Sequence, residues 1–241
     1  MNGAGAFPLR RSGEGAVASA CAVVLVRVAE TQFHLGLRRS DESHEPVLHL
    51  AWHRRLFDQA LAQVIKEKQG VLPSAVISLS LDPLINEALQ VLAGRVAVRH
   101  ANKASISYGF GEATATFESE TGNLTEPDAA FTCATFVLAM LRSVGVWIVD
   151  CERWRARTEE DLRWQREIGK RLLEWIEAQY HGDLPRAKER VENDIGSRRY
   201  RPTDVAAAAL FGPDKWPVGV EEVDPRAGEL EGVLAWPVSS A

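Results

Sequence analysis

Three residues of this 241-residue chain are of the types that thiol catalysis requires. Cys133 stands at the start of the apolar run TCATFVLAMLRSVG, and His34 and His49 precede it in two short alternating segments. A cysteine nucleophile needs a lowered thiol pKa, a histidine as general base, a polar group that orients the histidine, and N–H donors for the oxyanion. The start of a helix would supply the lowered pKa and one donor.

Each histidine lies in a predicted β-strand, on the face away from the large apolar residues. In FHLGLRR, His34 shares its face with Gly36, because side chains alternate along a strand. In VLHLAWH, His49 shares its face with Ala51 and His53. His53 is therefore a competing base, and a shift of one hairpin would replace the pair His34 and His49 with His49 and His53.

The residues also allow a simpler interpretation. A free cysteine in an apolar helix is usually there for packing, because it behaves as a small hydrophobic residue. A single histidine in a strand is usually solvated or hydrogen-bonded. The conjunction of all three residues is what favours a catalytic site.

The motifs around these residues resemble a known family. FHLGLRRSDESHEPVLHLAW is similar to the two histidine strands of the lecithin retinol acyltransferase group, and TCATFVLAMLRSVG is similar to its cysteine helix. That group belongs to the circularly permuted branch of the NlpC-type, papain-like thiol hydrolases, in which the histidines precede the cysteine. The resemblance implies that Cys133 is the nucleophile, His34 the general base and His49 the third, orienting residue.

The resemblance also implies a cleft near Tyr108, in ISYGFG, and near Thr132. It departs from the family at Thr132, where the family has asparagine, and at Ala134 and Thr135, where the family has glutamate and histidine. It covers about residues 20–57 and 120–150 and leaves the C-terminal part of the chain unexplained.

The implied activity is that of a cysteine-dependent hydrolase or acyltransferase. Such an enzyme would cleave an amide, isopeptide or (thio)ester bond through a thioester intermediate, on a peptide, isopeptide or acyl substrate, and would need no cofactor. The alternative is a non-catalytic binding protein of a bacterial-type cell that keeps the papain-like scaffold. Its tryptophan- and arginine-containing C-terminal helices would then dock a protein partner.

Composition and residue spacing limit the partners, the compartment and the metal sites that we expect for this chain. The net charge of -5 argues against nucleic acid as the main partner, because phosphate binding needs a basic surface. Three widely spaced cysteines form no disulfide framework and favour a reducing compartment, the cytoplasm. No apolar run reaches the roughly 18 residues of a membrane span, so no stable membrane insertion is expected. No metal site is expected either, because His49 and His53 would lie about 13 Å apart in a strand.

The order of predicted elements indicates an α+β fold. We expect a flexible leader over residues 1–15 and a permuted papain-like core over residues 16–150, in which an antiparallel sheet packs on the cysteine-bearing helix. A helical extension over residues 151–211 and an extended or loosely packed, Pro-rich acidic tail over residues 212–241 should follow.

Four helix predictions can be compared directly with the structure. Helical spacing predicts a helix over residues 54–70, and Asp82 and Pro83 predict a helix that ends at Gly94. The cysteine-bearing helix could begin at Thr125 or at Thr132. A long amphipathic helix should begin at Thr158, and Asp150 with the acidic residues 159–161 should form a charge cluster at its start that the helix dipole favours.

Overall fold

The computed structural model describes residues 20–39, 45–67, 70–111, 114–155, 158–180, 182 and 184–235. The predicted leader, residues 1–15, lies outside the described residues, as do residues 236–241 of the predicted tail. The strands are β1 Ala22–Ala29, β2 Gln32–Arg38, β3 Pro46–Trp52, β4 Arg55–Ala60, β5 Lys66–Glu67, β6 Gly70–Val71, β7 Ser74–Ser78, β8 Ser107–Tyr108 and β9 Ala130–Phe131. The helices are α1 Leu61–Val64, α2 Pro83–His100, α3 Cys133–Arg142, α4 Glu159–Gln179, α5 Leu184–Asp194, α6 Pro202–Ala209 and α7 Val220–Val233.

The fold is mixed α+β, as predicted. Five strands form one antiparallel sheet in the order β4-β3-β2-β1-β7, and seven helices occur in the described part of the chain. The β-branched strand β1 lies between β2 and β7, which explains why its segment AVVLVRVA lacks polar alternation. Within the described residues, none of the helices combines the length and the apolar character that a bilayer crossing requires.

The helix that begins at Cys133 packs against β2 and β3. Leu35, Leu37, Leu48 and Leu50 form the sheet face that it covers, and all four are fully buried. Residues 133–141 of α3 are buried all round, which is typical of a helix inside a core rather than of an amphipathic surface helix. The prediction of an antiparallel sheet packed on the cysteine-bearing helix is thus matched by the observed packing.

The predicted helix over residues 54–70 is wrong. Its first part is β4, which pairs with β3 from Pro46↔Ala60 to Trp52↔Arg55, and only the single turn α1 is helical. Pairing along an available sheet edge overrides the weak helical preference of this segment. The segment thereby adds Gln59 to the sheet as the penultimate residue of β4.

Helix α2 begins as predicted, because the Asp82 side chain accepts a hydrogen bond from the Leu84 amide and Pro83 occupies the first helical position. It does not end at Gly94 but runs on to His100. Buried residues continue through Ala93, Val96 and Ala97, so packing of this face on the core extends the helix beyond the glycine.

The prediction of an extended tail is wrong for residues 220–233, which form α7. Val223, Ala227 and Leu230 of this helix are buried, and α7 packs on α6. The α6 sequence PTDVAAAA presents small side chains, which allow two helices to approach closely. The N-cap position of α6 is Arg201, and the Thr203 hydroxyl joins α6 to α7 by donating to Glu231 Oε1 at 3.0 Å.

Candidate active site

Cys133 is the first residue of α3. Thr132 is its N-cap: the Thr135 amide donates to Thr132 Oγ1 at 3.2 Å, and the Thr132 amide donates to Thr135 Oγ1 at 2.8 Å. This reciprocal capping box satisfies two backbone donors and selects Thr132, not Thr125, as the start of the helix. The threonine pair therefore holds Cys133 at a helix N-terminus.

The thiol of Cys133 is buried, and burial raises its pKa to about 11. The backbone amides of Leu35, Ala134 and Cys133 itself hydrogen-bond to the sulfur and act in the opposite direction. Pairs between β2 and β3 are Leu37↔Leu48 and Arg38↔Val47, so the ladder ends before Leu35 and its amide is available to the thiol. The predicted lowering of the thiol pKa is therefore wrong for the resting site, because desolvation outweighs the amide dipoles.

His34 and His49 form a direct pair. His34 Nε2 lies 2.8 Å from His49 Nδ1, and His49 Nε2 lies 3.2 Å from Gln59 Oε1. Since the Gln59 oxygen can only accept, His49 Nε2 donates to it, and in a neutral ring His49 Nδ1 then accepts from His34 Nε2–H. This assignment of protons leaves a lone pair on His34 Nδ1.

Both imidazoles are neutral at physiological pH. Burial lowers the pKa of His34 to about 3, and the neighbouring His49 lowers it further. Burial also lowers the pKa of His49, and the Gln59 hydrogen bond and the Asp58 charge offset part of that effect. A neutral imidazole is the form that can accept a proton.

Gly36 makes room for the histidine pair. A Cβ atom at this position would lie 2.6 Å from Val47 Cγ1 and 3.1 Å from His49 Cβ. Distances this short would force β3 or its side chains to move. The absence of a side chain at Gly36 therefore lets His49 reach His34 across the two strands.

One cavity of about 700 Å³ brings the predicted site residues together. Cys133, His34, His49, Tyr108 and Thr132 all line it. Its volume is that of a pocket for a small molecule or a short peptide segment. Its walls also include residues that the sequence did not indicate, among them Gln59, Glu160, Trp164, Arg199, Tyr200 and Arg201.

The structure separates His53 from this group. His53 is buried outside the cavity lining, and its Nδ1 accepts a hydrogen bond from the Tyr108 amide at 3.3 Å. The ring therefore holds β8, while His34 rather than His53 contacts His49. Tyr108 stacks against Trp52, with ring centroids 4.8 Å apart, and burial raises the pKa of its hydroxyl, as does the nearby Cys133.

The acidic residues 159–161 lie in the first turn of α4, as predicted, and Asp161 has a further role. Asp161 is 2% exposed, and its Oδ1 lies 3.1 Å from Arg199 Nη1 and 3.2 Å from Arg201 Nη2. Burial raises the pKa of Asp161, but the Thr158 hydroxyl and the two guanidinium groups outweigh it and leave the pKa lowered. Asp161 is thus both a helix-start charge and a buried counter-ion for two arginines, and α4 begins after Thr158 as predicted.

No protein-family model, curated protein or solved structure matches this chain. Function must therefore be inferred from the geometry of the site. The arginine-rich stretch SRRYRP between two predicted helices was the sequence signal that could have indicated Arg199. Gln59 had no such signal, because its segment was predicted to be helical.

Proposed function

We propose that this protein is a cysteine-dependent hydrolase or acyltransferase with a permuted papain-like core. Cys133 is the nucleophile, His34 the general base and His49 the residue that orients it. The observation that carries the proposal is the hydrogen-bonded series Gln59–His49–His34, which ends at the cavity that Cys133 also lines.

The raised pKa of the Cys133 thiol and the lowered pKa of the His34 imidazole support a concerted proton transfer, because neither group ionises readily by itself. Because the thiol and the imidazole are both neutral at rest, the Cys133 proton passes to His34 Nδ1 as the sulfur attacks the acyl carbon. The new S–C bond pushes an electron pair onto the carbonyl oxygen. His34 then returns the proton to the leaving nitrogen, oxygen or sulfur, and the C–X bond breaks to leave a thioester on Cys133.

The second half-reaction reverses the roles. Water, or an acceptor amine or alcohol, gives a proton to His34 as it attacks the thioester, and Cys133 leaves as a thiol. Tyr108 is a suitable donor to the oxyanion, because its raised pKa keeps the hydroxyl protonated. Hydrolysis and acyl transfer differ only in the attacking nucleophile.

The alternative is a binding protein in which Cys133 only packs. The raised thiol pKa favours this alternative, since a structural buried cysteine is inert. The two differ in whether the native thiol reacts and whether His34 assists it.

The test is alkylation of the native protein with iodoacetamide, followed by peptide mapping, together with hydrolysis of 4-nitrophenyl acetate. We expect Cys133 to react in the folded protein, and His34→Ala to slow that reaction about 100-fold, the scale of general-base assistance. Cys133→Ser should abolish thioester formation and leave the melting temperature nearly unchanged. Cys151→Ser is the matched control and should react normally; labelling of Cys133 only after unfolding would overturn the proposal.

A further inference from the structure

Arg199 lines the same cavity as Cys133, although it comes from the part of the chain after the predicted core. Its guanidinium lies 3.9 Å from the centroid of the Trp164 ring, and its Nη1 pairs with the buried Asp161. Stacking on one side and an ion pair at one nitrogen hold the group in place. The cation is therefore positioned before any substrate arrives.

Two donors of Arg199, Nε and Nη2, are left for a ligand. Within the described residues, Asp161 hydrogen-bonds to this guanidinium at Nη1 only. The Arg199 side chain lines the cavity and is 16% exposed, so a ligand in the cavity can contact the guanidinium. Two adjacent N–H groups on one edge of a guanidinium match a carboxylate in a bidentate arrangement.

The charge balance of this wall suits a single negative charge. Arg199 and Arg201 share one oxygen of Asp161 as their buried counter-ion. Glu160 lies 3.7 Å from Arg201, and its charge acts on Arg199 as well. The two arginines therefore face two carboxylates, and this wall has no surplus positive charge for a phosphate dianion; a carboxylate that pairs with the open donors of Arg199 is the better fit.

The field of Arg199 reaches the reacting atoms. Burial raises the pKa of both Cys133 and Tyr108, and Arg199 opposes that rise at each of them. Because Arg199 and Cys133 also line the same cavity, a carboxylate held at Arg199 and the acyl group that Cys133 attacks would lie in one pocket.

We infer that Arg199 binds a carboxylate on the acyl portion of the substrate and so selects anionic acyl donors. This inference rests on the proposed function, because Cys133 must be the residue that receives the acyl group. Arg199 is a specificity-determining residue in this arrangement, and Trp164 and Asp161 are positioning residues for it.

A pair of alkylating reagents tests the inference without a known substrate. Iodoacetate and iodoacetamide carry the same reactive carbon, but only iodoacetate is an anion. We expect the ratio of iodoacetate to iodoacetamide rates at Cys133 to exceed the ratio for N-acetylcysteine by about tenfold, the effect of one charge-assisted hydrogen bond. Glutarate should slow alkylation by iodoacetamide, and glutaramide should not.

Variants of Arg199 test whether this residue causes the preference for iodoacetate. Arg199→Gln should return the ratio to that of N-acetylcysteine, and Arg199→Lys should keep part of the preference. Arg171→Gln, on the exposed face of α4, is the matched control and should leave the ratio unchanged. If Arg199→Gln does not fold, protection of the wild-type protein by glutarate decides.

Different results would overturn the carboxylate inference and the enzymatic proposal. A wild-type ratio no higher than that of N-acetylcysteine, without protection by glutarate, overturns the role of Arg199 even where iodoacetamide still labels Cys133 with help from His34. Native Cys133 that reacts with neither reagent overturns the enzymatic proposal itself, and the carboxylate inference with it.

Discussion

His34 Nε2 lies 2.8 Å from His49 Nδ1, across two strands whose ladder has already ended. The rings meet nearly edge-on, with planes 77° apart. This contact turns two separate strand histidines into one unit with a defined direction of proton donation, from His34 to His49 and on to Gln59.

Replacement of His49 should separate its proposed orienting role from the effect of its size. His49→Ala removes the acceptor for His34 Nε2–H, so we expect alkylation of Cys133 and ester hydrolysis to fall about 100-fold. His49→Asn offers an amide oxygen at nearly the position of Nδ1 and should recover a substantial part of that loss. Equal rates for the two variants would show that His49 does not orient His34.

Gly36→Ala should damage both stability and activity. The new methyl group would meet Val47 Cγ1 at 2.6 Å and His49 Cβ at 3.1 Å, so β3 must shift. Overpacking of this kind costs about 1–3 kcal/mol of unfolding free energy, and the shift should displace His49 from His34. Urea unfolding and the alkylation rate of Cys133 measure the two effects.

Gly94→Ala is the matched control for that variant. Among the described residues outside the backbone of the helix, Arg39 Nη1 alone would lie within 4 Å of a Cβ atom there, at 3.5 Å, and the position lies inside α2. Alanine should therefore stabilise the helix by about 0.5–1 kcal/mol and leave the site unchanged. A stability loss in Gly94→Ala as large as that in Gly36→Ala would contradict the steric explanation.

Acid should destabilise the protein through its histidines. Burial lowers the pKa of His34, His49 and His100 in the folded protein, so the unfolded chain takes up protons first as the pH falls below about 6.5. The stability that these neutral rings contribute is complete above that pH and is lost progressively towards about pH 3. Each histidine adds a slope of at most about 1.4 kcal/mol per pH unit.

Urea unfolding of the wild type and of His34→Gln, at several values between about pH 7 and about pH 5, measures this slope. We expect the variant to lose stability less steeply than the wild type, because it lacks the group with the largest pKa shift. Identical slopes would mean that His34 titrates normally in the folded protein.

The C-terminal helix should be part of the cooperative fold. Leu230 is 1% exposed on the face of α7 that meets the core, so Leu230→Ala should lower the unfolding free energy by about 2–4 kcal/mol. Val233, on the same helix but 51% exposed, is the control, and Val233→Ala should stay within about 0.5 kcal/mol of the wild type. Equal, small effects would place α7 outside the cooperative unit.

The start of a helix was predictable where one capping side chain decides it. Asp82 and Thr158 accept backbone N–H bonds from residues two or three positions later, and α2 and α4 start where that local chemistry requires. Where a helix ends was less predictable, since α2 continues past Gly94 to keep its apolar face on the core. Strand β4 and helix α7 were missed because pairing with β3 and packing on α6 are contacts between segments distant in the chain.

The sequence by itself determined the local parts of the site: a cysteine behind a threonine cap, and two histidines on the polar faces of alternating strands. Only the tertiary structure decided which histidines meet, because the choice between His34 and His53 depends on strand pairing and on the space at Gly36. Tertiary structure also decided that the Cys133 thiol is neutral and that Arg199 is the cation beside it. Burial keeps the thiol neutral, and packing brings Arg199 into the cavity; both effects need contacts between segments distant in the chain.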